Sequence, residues 1–301
     1  MSEPSAFRAI GPVEWAALLA LSVIWGGSYL FMKIAVVSLP VFFIVFSRVI
    51  LGALTLGAIL IVMRQGLPKK LEHWRSFFGM GLLNNAIPMS LIVFGTQSIS
   101  AGLASIINAL TPLFTILIAH GLTSDETLTP NKIIGVIIGF VGVIILIGPG
   151  LLFQPDIGVI GEIACVGAAL SYASANVFGR RFTQMGLKPL QIAFGQTSSA
   201  SVILLPIALL VDKPWTLAVP PSPVIASVFA LGMLCTGIAY LLFFRVLTKS
   251  GAVAIALVTL MIPPSAITLG ALVLGETLSL QQALGMVTIA IGLTAVNKKR
   301  A

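Results

Sequence analysis

Charge is what this chain has least of. Only 9% of its 301 residues are Asp, Glu, Lys or Arg, against about 25% in a soluble domain. So few charges cannot cover a surface that faces water. Histidine stops at His73 and His120, and cysteine at Cys165 and Cys235, both inside apolar runs. Neither a disulfide framework nor a Cys/His metal site can be built from them. The chain has no His-Glu-x-x-His, no Walker phosphate loop and no Rossmann glycine fingerprint, so zinc hydrolysis and ATP-driven work by this chain alone lack support. None of the nine acidic residues falls at the centre of an apolar run, so no buried carboxylate relay is indicated. His120 keeps proton coupling open.

Apolar sequence is there in abundance. The hydrophobic share is 58%, mean hydropathy is +1.10, and runs of the roughly 20 residues that cross a bilayer as helix follow one another with short breaks. The pattern predicts an all-α polytopic membrane protein with ten transmembrane helices, near 15–36, 39–63, 75–96, 99–120, 131–148, 157–180, 187–211, 222–246, 251–273 and 280–297. The first run, from Trp15, is too long for a signal-peptide core and reads as a retained span.

The cations test this count. Fourteen of the 17 Lys and Arg, from Arg8 through Arg64, Arg75, Arg180, Arg181 and Arg245 to Arg300, fall on the face that holds the termini. Lys33 and Lys213 lie opposite, and Arg48 lies inside span two. The positive-inside rule then puts both termini in the cytoplasm. The basic face reads as orientation and contact with lipid headgroups, not as a nucleic-acid surface.

A phrase occurs twice. Residues 125–135 read DETLTPNKIIG and residues 275–285 read GETLSLQQALG, at an offset of 150 that also aligns Ser100 with Ser250 and Gly142 with Gly292. The chain divides into residues 1–150 and 151–301, each holding five spans. An odd number inverts the second copy in the membrane, the ground plan of secondary transporters whose site lies between the halves.

IWGGSYLFMK in span one, Arg48 in span two, the Pro-bearing spans four and nine and the GETL after span nine resemble the EamA family of the drug/metabolite transporter superfamily, within it the YddG-type amino-acid exporters of bacterial inner membranes. The first copy departs from the family in reading Asp125 where Gly is usual. The resemblance implies ten helices, cytoplasmic termini and export of small metabolites; the motif absences above lead to the expectation of no enzymatic step and no cofactor.

Arg48 is the costliest residue to bury. Its repeat partner is Ser198, within a run that offers Gln196 and Thr197. Either Arg48 lines the pathway and attracts a substrate carboxylate, or it holds backbone carbonyls between helices. Lys33 with Glu276, and Arg181 with Glu126, are expected to form gating ion pairs at the two mouths; snorkelling and headgroup anchoring are the alternatives. Pro88, Pro112, Pro206 and the tandem Pro263 and Pro264 interrupt spans and mark hinges or binding walls, with Asn108, Thr111, Thr259 and Met261 beside them. Trp25, Ser28, Tyr29, Asn84, Asn85, Tyr172, Asn176 and Tyr240 offer rings, hydroxyls and amides at membrane depth, suited to a small zwitterion and also to a sugar or nucleobase. Gly135 and Gly139 form a small-residue face that either dimerises the protein or seats span five in its own bundle. The reading is a facilitative, alternating-access exporter of amino acids, monomeric or dimeric, with small-molecule cargo and membrane lipids as its partners. Its rivals are a carrier of drugs, sugars or nucleobases, proton-coupled or not, and a membrane-embedded lipid-headgroup enzyme.

Overall fold

The computed structural model describes residues 12–68, 70–122, 130–147 and 157–297. Every regular element among them is helical: α1 Pro12–Ala35, α2 Val41–Val62, α3 Leu71–Gly81, α4 Ile87–Gly95, α5 Ala101–Asn108, α6 Thr111–Leu122, α7 Pro130–Ile147, α8 Ile157–Gly179, α9 Pro189–Ile207, α10 Ser222–Phe229, α11 Ala239–Leu274 and α12 Leu280–Asn297. π-helical turns at Leu82–Ala86 and Ala230–Ile238 join α3 to α4 and α10 to α11. Seven stretches are long and apolar enough to cross a bilayer, and Ile133–Ile145, Met261–Leu274 and Leu280–Gly292 are shorter apolar helices. Backbone hydrogen bonds satisfied within each helix are what lipid demands, and the chain is a polytopic helical membrane protein.

The end of the bundle where α1 starts is called here the near end, and that of Ala35 the far end. The chain returns from α1 to α2 in one short turn through Pro40. Proline cannot cap with its side chain, and α2 is capped from another helix: Asp212, following α9, accepts from Phe43 N at 2.6 Å. A carboxylate at a helix N-terminus satisfies free amides and opposes the dipole. Asp212→Ala is therefore expected to cost about 1 kcal/mol, read as a lowered melting temperature of the purified protein.

Prolines that look alike in sequence behave differently. At Pro112 the expected single span four is two helices, broken at Ala109 and Leu110, with the Thr111 hydroxyl donating to the loosened Asn108 carbonyl at 2.8 Å. Pro263 and Pro264 sit in α11 without breaking it. Pro88 follows a π-helical turn, where the Ser171 hydroxyl reaches Leu83 O at 2.8 Å.

Expected spans eight and nine are joined by unbroken helical backbone in α11, but not as a straight rod. Cys235 Sγ contacts Ile24 O at 3.2 Å, and Ile262 O lies 3.2 Å from where a Gly26 Cβ would be. Twenty-seven residues of straight helix would separate them by roughly 40 Å. The chain therefore turns back between Val246 and Val258, both buried in one cluster with Leu18 and Leu21.

The two halves of expected span four go different ways. Helix α5 packs on α11, Gly102 against Ile267, whereas α6 leans on α8 and on Phe140 of α7 and, among the described residues, makes no comparable contact with α11. Helices α7 and α12 cross closely through Gly135, Gly139, Gly142, Gly285 and Gly292. Gly135 and Gly139 thus seat α7 against α12 of the same chain.

Candidate functional site

Arg48 projects from α2 into the protein and is only 6% exposed. Gly52, one turn on, lets α2 approach the second π-helical turn so closely that a Cβ there would lie 2.6 Å from Thr236 Cγ2. Arg48 Nε donates to Thr236 Oγ1 at 3.1 Å, and Nη1 points at Met32 Sδ at 3.6 Å. The Thr236 hydroxyl donates to Leu231 O, five residues back, so its lone pairs are free to accept. These contacts use two of the five guanidinium donors, one of them weakly. No acidic side chain among the described residues pairs with Arg48.

All three tyrosines of the chain gather around this cation. Tyr29, Tyr172 and Tyr240, carried by α1, α8 and α11, all lie within electrostatic reach of Arg48. The Tyr29 hydroxyl lies beside Asn108, at the α5/α6 break, whose buried side-chain oxygen has no partner at bonding distance. Ser28 is buried in α1 next to Tyr29.

Toward the near end, roughly 6 Å further along the chain from Thr236, Tyr240 at the start of α11 closes a second polar cluster. Asn84 Nδ2 donates to Gln196 Oε1 at 3.0 Å and to the Tyr240 hydroxyl at 3.4 Å; Gln196 Nε2 donates to the same hydroxyl at 2.9 Å. Tyr240 thus accepts twice and keeps its own proton to give. Trp25 packs on Phe243, centroids 5.7 Å apart, beside this cluster. Asn176 is exposed and donates to Thr115 at 3.2 Å. Thr259 is half-buried in α11. Asn85 is fully buried on the first π-helical turn, with both side-chain amide atoms unpartnered.

Arg48, the tyrosines, Asn84 and Asn108 thus come from distant parts of the chain into one interior, whereas Asn176 is exposed on α8. Thr111 serves the helix break instead. Thr236, which positions Arg48, carries no sequence signal, because π-helical register is not written in a hydropathy pattern.

Lys33 and Glu276 both sit at the far end and do not bond each other. Lys33 Nζ donates to Thr96 O and Ile99 O, both at 2.8 Å. Glu276 accepts from Ala101 N at 2.9 and 3.1 Å and from Gly102 N at 3.5 Å. Arg181 stacks on Phe178, 3.4 Å from the ring centroid, and bonds its carbonyl at 3.1 Å. Glu126 lies outside the described residues. Among the described residues no cluster of three or more His, Cys, Asp or Glu could hold a metal ion.

Bilayer-length helices around a polar interior with one unpaired cation define a multi-pass membrane protein of transporter type. The chain belongs to the EamA-like transporter family, whose profile matches residues 14–148 and again 159–298. It is 26% identical over 281 residues to the uncharacterized transporter YoaV of Bacillus subtilis, covering 92% of this chain and 94% of that one. The uncharacterized inner membrane transporter YedA of Escherichia coli K12 is 28% identical over 307 residues, covering 97% and 93%. A probable amino-acid metabolite efflux pump of the same organism is 27% identical over 283 residues, covering 91% of each chain. A solved crystal structure of a 20% identical protein superposes with a TM-score of 0.66 over 94% of this chain and 96% of that one, a likeness of fold.

Proposed function

We propose that this protein is a facilitative exporter of amino acids in a bacterial inner membrane, working by alternating access. The observation that carries the reading is Arg48, a buried cation with donors to spare, held by Thr236 and facing no acid among the described residues. Such a site favours a carboxylate and disfavours a free cation. The neighbouring Asn84–Gln196–Tyr240 cluster offers neutral hydrogen bonds, and Trp25 with Phe243 offers an apolar wall, so the cargo is a small molecule with one anionic end and a tolerant remainder. The name of the efflux-pump relative and the inner-membrane name of YedA support the cargo and the location.

In this reading the protein has ten crossings, as two inverted five-helix repeats at 1–150 and 151–301, with the near end and both termini in the cytoplasm. The double family match and the distribution of cations support it. The pathway is closed outside, where α5 packs on α11, and open inside, where α6 and α11 part. Exposure of Asn176 supports the inner opening, because a polar side chain at membrane depth faces a wet cavity and not lipid. Glu126 and Arg181 serve the inner mouth. The protein works as a monomer, without cofactor or nucleic acid.

The test is efflux of labelled amino acids from proteoliposomes with and without a pH gradient, wild type beside Arg48→Ala and Arg48→Lys. Flux that needs no gradient, falls about a hundredfold in Arg48→Ala, as losing one charge-assisted pair at 1.5–3 kcal/mol allows, and partly returns in Arg48→Lys is the expected result. Amino-acid flux untouched by Arg48→Ala would remove Arg48 from the site. No amino-acid flux from folded wild type would refute that cargo.

A further inference from the structure

We propose that Lys33 and Glu276 are the two jaws of an exterior latch that holds the outer mouth shut by gripping a third element, the turn from Thr96 to Ala101. The proposal rests on the carrier reading above for its direction, and on the far-end geometry for its parts. The turn joins α4 to α5, so it presents the carbonyls of one helix C-terminus beside the amides of one helix N-terminus. Helix ends leave such groups without intrahelical partners, and they carry opposite partial charges. Lys33 takes the carbonyls, Thr96 O and Ile99 O at 2.8 Å. Glu276 takes the amides, Ala101 N at 2.9 Å and Gly102 N at 3.5 Å. Each charge meets the polarity that suits it, and a direct pair is unnecessary.

The jaws share one body. Lys33 ends α1 and Glu276 follows α11, and these helices lie backbone to backbone, with a Gly26 Cβ only 2.9 Å from Ala266 N. Gly275, at φ +66°, ends α11 in the left-handed conformation that glycine adopts without strain, and Glu276 N returns to Gly270 O at 3.2 Å. That tight turn aims the Glu276 carboxylate at the amides, over Gly270, where a methyl group would collide with Glu276 Oε2. The gripped turn follows α4, which packs chiefly on α8, so the latch ties the α1/α11 pair to the α4/α8 pair. It has no covalent or bulky apolar part, and water can replace every bond in it when the mouth opens. The GETL phrase at 275–278 thereby acquires a mechanical meaning: the glycine turns the chain and the glutamate caps α5.

The chain carries its own reporter. Cys165 is fully buried under the turn, with its Sγ 2.7 Å from a Cβ placed on Gly95. The experiment is labelling of Cys165 by a membrane-impermeant maleimide in right-side-out vesicles, using the full chain with Cys235→Ser. The parent is expected to react slowly. Glu276→Gln and Gly270→Ala are each expected to raise the rate about tenfold, a shift of about 1.4 kcal/mol in the closed-to-open balance. Gly270→Ala separates the latch from charge, since it evicts the carboxylate and keeps both ions. Folding is checked by adding a pre-formed disulfide from Gly102→Cys to Ile267→Cys, with labelling at Cys165 read by peptide mass. Labelling suppressed by that bond supports the latch, whereas labelling that persists through it reports unfolding and overturns the proposal, as do rates equal to the parent in both variants. The readout is conformational, so it stands whichever cargo the efflux assay identifies, and an amino-acid flux that fails leaves it intact.

Discussion

A protein carrying Gly102→Cys and Ile267→Cys on a background without native cysteines is expected to transport only after reduction. A Cβ on Gly102 would lie 3.6 Å from Ile267 Cβ, within the roughly 3.5–4.5 Å that a disulfide spans. The Ile267 Cγ1 that would crowd it at 2.9 Å disappears in the same substitution. These residues join α5 to α11 at the far end, and in the proposed carrier cargo cannot leave outward until they separate. Near-complete loss of efflux under oxidation, full recovery with reductant and normal flux in the Ile267→Cys protein make the expected pattern. Full efflux through a quantitatively formed bond would show that the exit lies elsewhere.

The second large effect is structural. Gly292→Val is expected to abolish folded protein, measured as the monodisperse fraction in detergent, while Gly121→Val leaves it unchanged. A Cβ at Gly292 would lie 2.6 Å from Gly135 O and 2.7 Å from Gly139 N, whereas nothing lies within 4 Å of one at Gly121. The obstructing atoms are backbone, so no side chain can swing aside and α7 and α12 must separate. Overpacking costs about 1–3 kcal/mol where neighbours can shift, and here the whole helix pair loses its contact. A Gly292→Val protein of wild-type yield and melting temperature would mean that the crossing contributes little.

The span edges were legible because lipid fixes helix length and charges collect at the ends. The reading 39–63 became Val41–Val62, and 187–211 became Pro189–Ile207 with the π-helical turn that follows. The breaks were less legible. Pro112 and the Pro263-Pro264 pair give the same local signal, and what decides is whether the second half finds a new packing partner. After Pro112 it does, with Asn176 reaching Thr115 and Phe140 meeting Phe114. In α11, Gly26 and Gly27 of α1 keep the helix against one neighbour throughout.

Arg48 could be found from sequence because burying a guanidinium is rare and costly. Its support could not, since Thr236 is 188 residues away and faces it only through a π-helical register. Lys33 and Glu276 were visible as charges at a mouth, but pairing them with each other was the natural error of sequence reasoning. Side chains have letters, whereas the peptide groups that hold these two ions have none. Asp212 escaped notice for the same reason, since it acts on the backbone of Phe43.

The grip at the outer mouth has an electrical consequence. Moving one elementary charge through the full membrane field is worth about 2.3 kcal/mol per 100 mV. Lys33 and Glu276 bear opposite charges, flank helices packed together and let go of the same turn, so their joint displacement carries no net charge along the field. In the proposed latch, release of these two ions therefore adds no voltage dependence to opening of the exterior.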